Sequence, residues 1–493
     1  MKEEYKRHFR GTLWSALGLI PGQIRGIILI PILTKLLGVS FYGKYVLVLT
    51  VISLISGLSD LGLGMSLSRF LPSVKDTDEG AKTFYSVFWA TFLINGIVFF
   101  IVGVVGSYLA TYFHLPPGIA FHIAAAVALY SMYGVVIEFY RACEFIRTYV
   151  LLGGARNVAE IVVVAVTAIF TRDLTRVVDG MAMLNFIALV GIYLSIRSRV
   201  GRVHGPDDRV KKLLSFSLPL VPGRVADWVV NLSDRFLIGL FLGEFAVGIY
   251  NPGYALGSLI LVVPTILVTM LPPLLSRLYD TGKLSIVDDI VIYTLKYFLI
   301  VAIPTFFGLI VISKQLLLVL SNQIIAEQGY VIPPIVALGA VLYGCSQILL
   351  QVLQVRLRTK RIAVAALTGA AVNLILNLLL IRTFGIVAAA VTTTVAFGIS
   401  FIVVLQATGL SISTIARSTR FVNILVSGLT MALILLVAHD GLASTLLLEM
   451  VFGVLSYSVC GVAFGVLDER ERRHFNGMMK RLIFKPGRHE GEN

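Results

Sequence analysis

Residues Leu213–Tyr250 read LLSFSLPLVPGRVADWVVNLSDRFLIGLFLGEFAVGIY. The stretch has the apolar content of a helix that lies in hydrocarbon, yet it carries Arg224, Asp227, Asn231, Asp234 and Arg235. Counted from Arg224, these fall at i, i+3, i+7, i+10 and i+11, a spacing that puts them roughly on one helical face. A charged side chain near mid-bilayer costs about 2.5–3.5 kcal/mol, so such residues face a partner helix or a watery cavity. Two readings follow. Either the face walls a cavity, or it is a self-paired stripe, Arg224 with Asp227 one turn on, that locks helices together. Intramembrane ionisable residues are functional by default, which favours the cavity.

The rest of the chain agrees with a membrane setting. Of 493 residues, 57% are hydrophobic and 14% charged, against about 25% charged in an ordinary soluble domain. Mean hydropathy is +0.90. Apolar runs of membrane-crossing length predict about fourteen spans. The first six lie near 11–36, 43–66, 84–111, 118–141, 148–170 and 177–196. The next six lie near 213–241, 246–275, 290–312, 331–355, 362–381 and 385–407, and the last two near 420–438 and 443–467. The chain therefore reads as an all-α polytopic membrane protein.

The net charge of +14 does not indicate a nucleic-acid partner, because the positive residues sit in loops between apolar runs. With the N-terminus inside, 31 of the 41 Lys and Arg fall on the inner side, 6 on the outer side and 4 within spans. That asymmetry predicts a multi-pass protein of the cell (inner or plasma) membrane with both termini cytoplasmic. Cys143, Cys345 and Cys460 are isolated, with neither metal-ligand spacing nor a disulfide framework. We expect no metal and no cofactor. No phosphate-cradling Gly-rich motif appears, so the chain is not expected to hydrolyse ATP. The outer loops are short, which leaves no room for an external catalytic domain, and no catalytic residue is assigned.

An internal repeat is visible. Leu37-Gly38-x4-Gly43-x-Tyr45 closes the first span and Leu242-Gly243-x4-Gly248-x-Tyr250 closes the seventh. Pro21-Gly22 with Arg25 precedes the first copy, and Pro222-Gly223-Arg224 precedes the second. A six-span offset with the same starting side implies parallel repeats about an axis along the membrane normal. The expected organisation is an N-terminal lobe at 1–200, a C-terminal lobe at 201–407, two appended spans within 408–467, and a basic amphipathic tail at 468–493 that meets the anionic inner leaflet. The two lobes are expected to be pseudo-symmetric, with six helices each. Proline should bend spans 1 and 7.

Two-lobed transporters hold their site between the lobes near the midplane. The candidates for such a cavity are Arg25, Arg224, Asp227, Asp234, Arg235, Asp60 and Arg69. Asp227, Asp234 and Glu160 are the candidates for ion coupling, although Glu160 lies one turn from Arg156 and has a simple pairing available. Asp60 and Glu138 lie near the inner interface and read equally well as structural. Gln347, Gln351 and Gln354, and Asn373 with Asn377, form neutral polar stripes that serve as helix glue or as ligand contacts.

Several of these stretches resemble the polysaccharide transport (O-antigen flippase) family of the multidrug/oligosaccharidyl-lipid/polysaccharide superfamily. They are Leu37 to Gly43 followed by Ser59-Asp60-Leu61-Gly62-Leu63-Gly64 and Arg69-Phe70, then Asp234-Arg235 followed by Gly243-x4-Gly248-x-Tyr250, and Asn377 followed by Gly385 to Ala390. The resemblance implies a non-enzymatic flippase for a lipid-linked oligosaccharide, with Arg25, Arg224 and Arg235 supplying phosphate contacts. It also makes polysaccharide polymerases and glycosyltransferases candidate partners. Two alternatives stay open: a cation-coupled multidrug exporter of the same superfamily, disfavoured by the arginines of spans 1 and 7, and a membrane glycan polymerase or ligase, disfavoured by the short outer loops.

Overall fold

The computed structural model describes residues 22, 24–74, 77–113, 115–201, 205, 208–439, 441–442, 444–468 and 471. These residues form helices throughout, with no strand among them. In order they are α1 (24–36), α2 (Val39–Ser59), α3 (Leu63–Phe70), α4 (Asp78–Tyr112), α5 (Ile119–Ala142), α6 (Ile146–Thr171), α7 (Leu174–Val200), α8 (Arg209–Ser217) and α9 (Val221–Leu242). There follow α10 (Glu244–Ser258), α11 (Val262–Asp280), α12 (Leu284–Leu320), α13 (Gln323–Gly329), α14 (Ile332–Val355), α15 (Thr359–Thr408), α16 (Ile412–Ser418), α17 (Phe421–Ala438) and α18 (Leu446–Ala463). The basic leader, Pro21 and all but Asp468 and Glu471 of the tail lie outside the described residues.

Eleven helical stretches among the described residues are long and apolar enough to cross a membrane, with Glu244–Asp280 counted as one. α9 is not one of them, because its 22 residues include four charges. α15 is two spans in one. Gly385 interrupts it at φ 68°, ψ −152°, and Ser400 Oγ donates to the carbonyl of Ala365, 35 residues earlier, at 3.4 Å. In a straight helix rising 1.5 Å per residue those atoms would be about 50 Å apart. The two halves therefore run antiparallel, divided where the sequence separates its eleventh and twelfth spans. With α1, α9 and the two halves of α15 counted, the helices are compatible with fourteen spans.

Three expected spans are less regular than the sequence suggested. The seventh is α8, a 3₁₀ turn at Leu218–Leu220, and α9. Pro219 and Pro222 lack the N–H that would bond the preceding turn, which accounts for the break. The expected bend thus falls just before Pro222. The eighth passes through a 3₁₀ turn at Leu259–Leu261 between α10 and α11. The second ends at Asp60, where Leu61 (φ 48°) and Gly62 (φ 75°) redirect the chain into α3.

The repeated glycine motif takes the same shape twice. Gly38 (φ 88°, ψ 173°) caps α2, and Gly243 (φ 84°, ψ 174°) caps α10. The two copies also pack on each other. A Cβ on Gly43 would overlap the carbonyl oxygen of Glu244, and a Cβ on Gly248 would overlap that of Val39. α2 and α10 thus cross at backbone-to-backbone distance, which only glycine allows.

This crossing organises the core. At the Gly43 end, one apolar cluster runs continuously from Leu29, Leu47 and Val127 in the first half to Ile238, Tyr250, Ile332 and Ala389 in the second. At the Asp60 end, the first half has its own cluster around Leu63, Phe84, Tyr140 and Ile196. The second half has another around Leu295, Phe298, Leu349 and Val404. The two halves therefore share a core at one end and keep separate cores at the other.

Candidate functional site

A cavity of about 540 Å³ lies between the halves, walled by α1, α2, α5, α9 and α10. A second of about 490 Å³ adjoins it between α9, α10, α11 and α14. Both are lined by Leu232, Arg235, Tyr254 and Ser258. The first also presents Arg25, Tyr42, Tyr45, Tyr130 and Asn251.

Each arginine of this cavity is backed by a carboxylate. Arg25 Nη1 donates to Glu160 Oε2 at 2.6 Å. The Glu160 side chain is fully buried, whereas that of Arg25 is 25% exposed. Arg235 Nη1 is 3.0 Å from Asp234 Oδ1. Its Nε donates to Asn251 Oδ1 at 2.8 Å, and its guanidinium lies 4.0 Å from the centroid of the Tyr254 ring. Tyr250 donates to Asp234 Oδ2 at 2.5 Å, so the carboxylate is satisfied within the protein. Asn251 in turn donates to the Tyr42 hydroxyl, which ties α10 to α2. Arg25 and Arg235 line the cavity, while Glu160 and Asp234 do not. The carboxylates orient the guanidinium groups from behind, so that Arg25 and Arg235 present N–H groups toward the cavity.

The remaining sequence candidates are placed differently. Arg224 does not pair with Asp227. Its Nη1 lies 2.6 Å from Asp60 Oδ1, across the divide between the halves. Asp60 also accepts from the backbone N–H of Gly62 at 3.0 Å, so it caps the turn into α3 as well. The alternative of a self-paired stripe does not hold: α9 turns Arg224 toward Asp60 on α2, and Asp227 toward a third cavity of about 700 Å³ between α9, α14 and α15. Asp227 is exposed there, with no ion pair among the described residues. Arg69 is exposed on α3 and meets no carboxylate among the described residues. Glu138 pairs with Arg141 at 2.6 Å. Asn373 and Asn377 are fully buried and bonded to each other and to Ser233, Thr392 and Thr393, which makes them helix glue. Gln347 lines two of the cavities, Gln354 lines the third, and Gln351 is buried.

Sequence reasoning did not place Tyr42, Tyr45, Tyr130, Asn251 or Tyr254 in a cavity, although Tyr45 closes the repeated glycine motif. Spacing held a partial signal: Tyr42 with Tyr45, and Tyr250 with Tyr254, recur at helical intervals beside the repeated glycines.

The Arg224–Asp60 bridge, with Trp228 Nε1 donating to Ser53 Oγ at 3.3 Å, spans the divide at the end where the cores are separate. Arg224 is one-third exposed, but the Asp60 side chain is only 10% exposed. Arg224→Gln leaves that carboxylate with its backbone donor at Gly62, and we expect it to lower stability by about 1–3 kcal/mol. A cysteine at Ser56, which lines the cavity near that end, should then react several-fold faster with a bulky thiol reagent. An unchanged labelling rate would deny the bridge a gating role.

Comparison with known proteins adds the following. Residues 9–279 match the family model described as polysaccharide biosynthesis protein, and residues 219–379 match the MatE model. A "probable flippase AglR" of Haloferax volcanii is 29% identical over 220 residues, which is 42% of this chain and 45% of that protein. A "probable low-salt glycan biosynthesis flippase Agl15" of the same organism is 24% identical over 190 residues, 38% of this chain and 40% of that protein. The chain thus spans less than half the length of the curated relatives it matches. Among solved structures, the lipid II flippase MurJ in an inward closed conformation superposes with a TM-score of 0.75 at 14% identity, over 97% of this chain and 100% of that one. An inward-facing multidrug resistance MATE family transporter of the MOP superfamily superposes with a TM-score of 0.60 at 13% identity, over 81% and 96%.

Proposed function

The chain is a member of the polysaccharide biosynthesis protein family, and from that membership we propose that it flips a polyprenyl-(pyro)phosphate-linked oligosaccharide from the cytoplasmic to the outer leaflet of the cell membrane. The observation that carries this reading is the pair of guanidinium groups, Arg25 and Arg235, that line the central cavity while their carboxylates stay buried behind them.

Such a substrate has three chemically distinct parts. The polyisoprenoid tail stays in lipid, where moving it costs nothing. The anionic linker needs charge-assisted donors to leave water, and arginine forks match phosphate oxygens in pairs. The glycan needs a hydrated, hydroxyl- and amide-lined path, which Tyr42, Tyr254, Asn251 and Gln347 supply.

Movement follows from the two ends of the cavity. The halves act as two lobes that rock about the central site. The Gly43 end is the outer one, sealed here by the shared core and the glycine crossing. The Asp60 end is the inner one, closed by Arg224 and Asp60. Both termini are cytoplasmic on this reading, as the distribution of Lys and Arg requires. Of the three carboxylates proposed for ion coupling, Asp234 and Glu160 already neutralise arginines, which leaves Asp227 as the one free to take a cation.

The test is leaflet exchange of a fluorescent polyprenyl-pyrophosphate oligosaccharide in liposomes. Wild type should exchange the probe, and Arg25→Gln should slow exchange by at least about tenfold, the effect of losing one charge-assisted interaction worth about 1.5–3 kcal/mol. The match to the MatE model over 219–379 supports a second reading, a multidrug exporter. Efflux of a cationic dye by wild type, with no exchange of the glycolipid, would favour it.

A further inference from the structure

The charges around Glu160 do not balance, and the imbalance is asymmetric. Glu160 Oε2 accepts from Arg25 Nη1 at 2.6 Å and lies 3.0 Å from Arg156 Nη1. Glu160 Oε1 accepts from the Tyr130 hydroxyl. Two arginines thus share one fully buried carboxylate. They are held very differently. Arg156 donates from Nε to Asn185 Oδ1 at 3.2 Å and from Nη1 to Asn157 Oδ1 at 3.3 Å. Its guanidinium lies 4.5 Å from the Tyr130 ring centroid and 5.2 Å from that of Tyr133. Its side chain is 12% exposed, and its Nη2 is buried with no hydrogen-bond partner among the described residues.

Arg25, by contrast, makes its one hydrogen bond among the described residues to Glu160, and it faces the cavity. Its helix borders open space on the cavity side: among the described residues, a Cβ on Gly26 would meet nothing within 4 Å, and one on Gly22 would meet only Asn157 Nδ2 at 3.4 Å. One arginine is clamped and the other has room to move.

We propose that Arg156 is a positioning residue that makes Arg25 releasable: when an anionic headgroup enters the cavity, Arg25 leaves Glu160 for the anion, and Arg156 keeps the carboxylate paired. This rests on the reading of Arg25 as an anion contact. The physical reason is the cost of a lone buried charge. A carboxylate stripped of its only cation in a dry site is strongly penalised, so a simple Arg25–Glu160 pair would hold Arg25 against any ligand. With Arg156 fixed in place, the carboxylate keeps the Arg156 guanidinium, whose Nη1 lies 3.0 Å from Oε2, and the Tyr130 hydroxyl. Once the anion departs, Glu160 draws Arg25 back and resets the site. Arg235 has no such arrangement. A single carboxylate, Asn251, the Asn231 carbonyl and Tyr254 hold it, so it is the static contact of the pair.

The experiment measures binding of farnesyl pyrophosphate to the full chain in nanodiscs by calorimetry, with farnesol as the uncharged control and thermal unfolding recorded in parallel. Arg156→Gln should weaken binding about tenfold, within the range of coupled buried charges. Glu160→Gln should tighten it, because Arg25 is then unrestrained. The double variant Arg156→Gln/Glu160→Gln should bind at least as tightly as wild type. In an Arg25→Gln background, Arg156→Gln should have no further effect on binding, which a merely structural role would not produce. Unaltered binding by a folded Arg156→Gln, or a double variant as weak as that single one, would overturn the exchange while leaving the anion reading standing. Wild type that binds no better than it binds farnesol, or Arg25→Gln that binds as wild type does, would overturn the anion reading and the exchange with it.

Discussion

Gly43→Val should abolish leaflet exchange and lower stability by about 3 kcal/mol or more, the upper range for overpacking a filled contact. A side chain at position 43 has nowhere to go. Its Cβ alone would overlap the Glu244 carbonyl, with the Gly248 nitrogen 3.0 Å away. Both obstacles are backbone, so no rotamer change relieves them, and α2 must separate from α10. Separation would carry away Tyr42 from Asn251, and with it one support of Arg235. Gly43→Ala should act in the same direction with a smaller cost, and Gly248→Val should match Gly43→Val because a Cβ at 248 overlaps the Val39 carbonyl. The specific expectation is a change of access. A cysteine at Ala255, on the cavity wall, should become reactive from the Gly43 end in Gly43→Ala. Native Cys143, Cys345 and Cys460 are buried and give little background. A Gly43→Ala protein with wild-type exchange and labelling would show that the crossing tolerates a methyl group and does not seal the cavity.

These glycines were legible because the requirement is local. Gly38 and Gly243 cap helices at positive φ, and Gly43 and Gly248 sit one turn and a residue further on, so a repeated spacing records a repeated backbone shape. Apolar runs likewise recorded the helices, and the division between spans at Gly385 recorded the reversal inside α15. The position of breaks was less legible. The second span ends at Asp60 and not at 66, because a side-chain cap and the left-handed Leu61–Gly62 pair redirect it. No hydropathy profile encodes that turn.

The one-turn pairing of Arg156 with Glu160 was legible from spacing, but the pairing of charges between distant helices was not. Arg25 meets Glu160 135 residues away, and Arg224 meets Asp60 164 residues away. Spacing along α9 offered Arg224 a partner one turn on, and helix rotation against α2 gave it another. Which arginine is clamped and which is loose depends on Asn185, Tyr130 and the gap beside Gly26. Those are properties of packing between α1, α5, α6 and α7, and a single chain read in order does not display them.

Arg235→Gln should be the most damaging of the charge substitutions, at about 3–5 kcal/mol, the cost of leaving a buried charge without its partner. Asp234 is 1% exposed and keeps only Tyr250 and its own helix when the guanidinium is gone. The loss of the Tyr254 stacking and the Asn251 contact adds to it. Stability alone would not identify a functional role, so the informative protein is the double variant Asp234→Asn/Arg235→Gln. Its site is neutral, and the introduced amide would keep an acceptor for the Tyr250 hydroxyl, so folding should recover to within about 1 kcal/mol of wild type. Glycolipid exchange should not recover, because the static cation of the cavity is missing. Measured together, thermal unfolding and leaflet exchange separate the two roles. If both recover, Arg235 exists to neutralise Asp234 and the cavity needs no fixed cation. If unfolding recovers and exchange stays lost, Asp234 holds the charge in place and Arg235 presents it to the substrate.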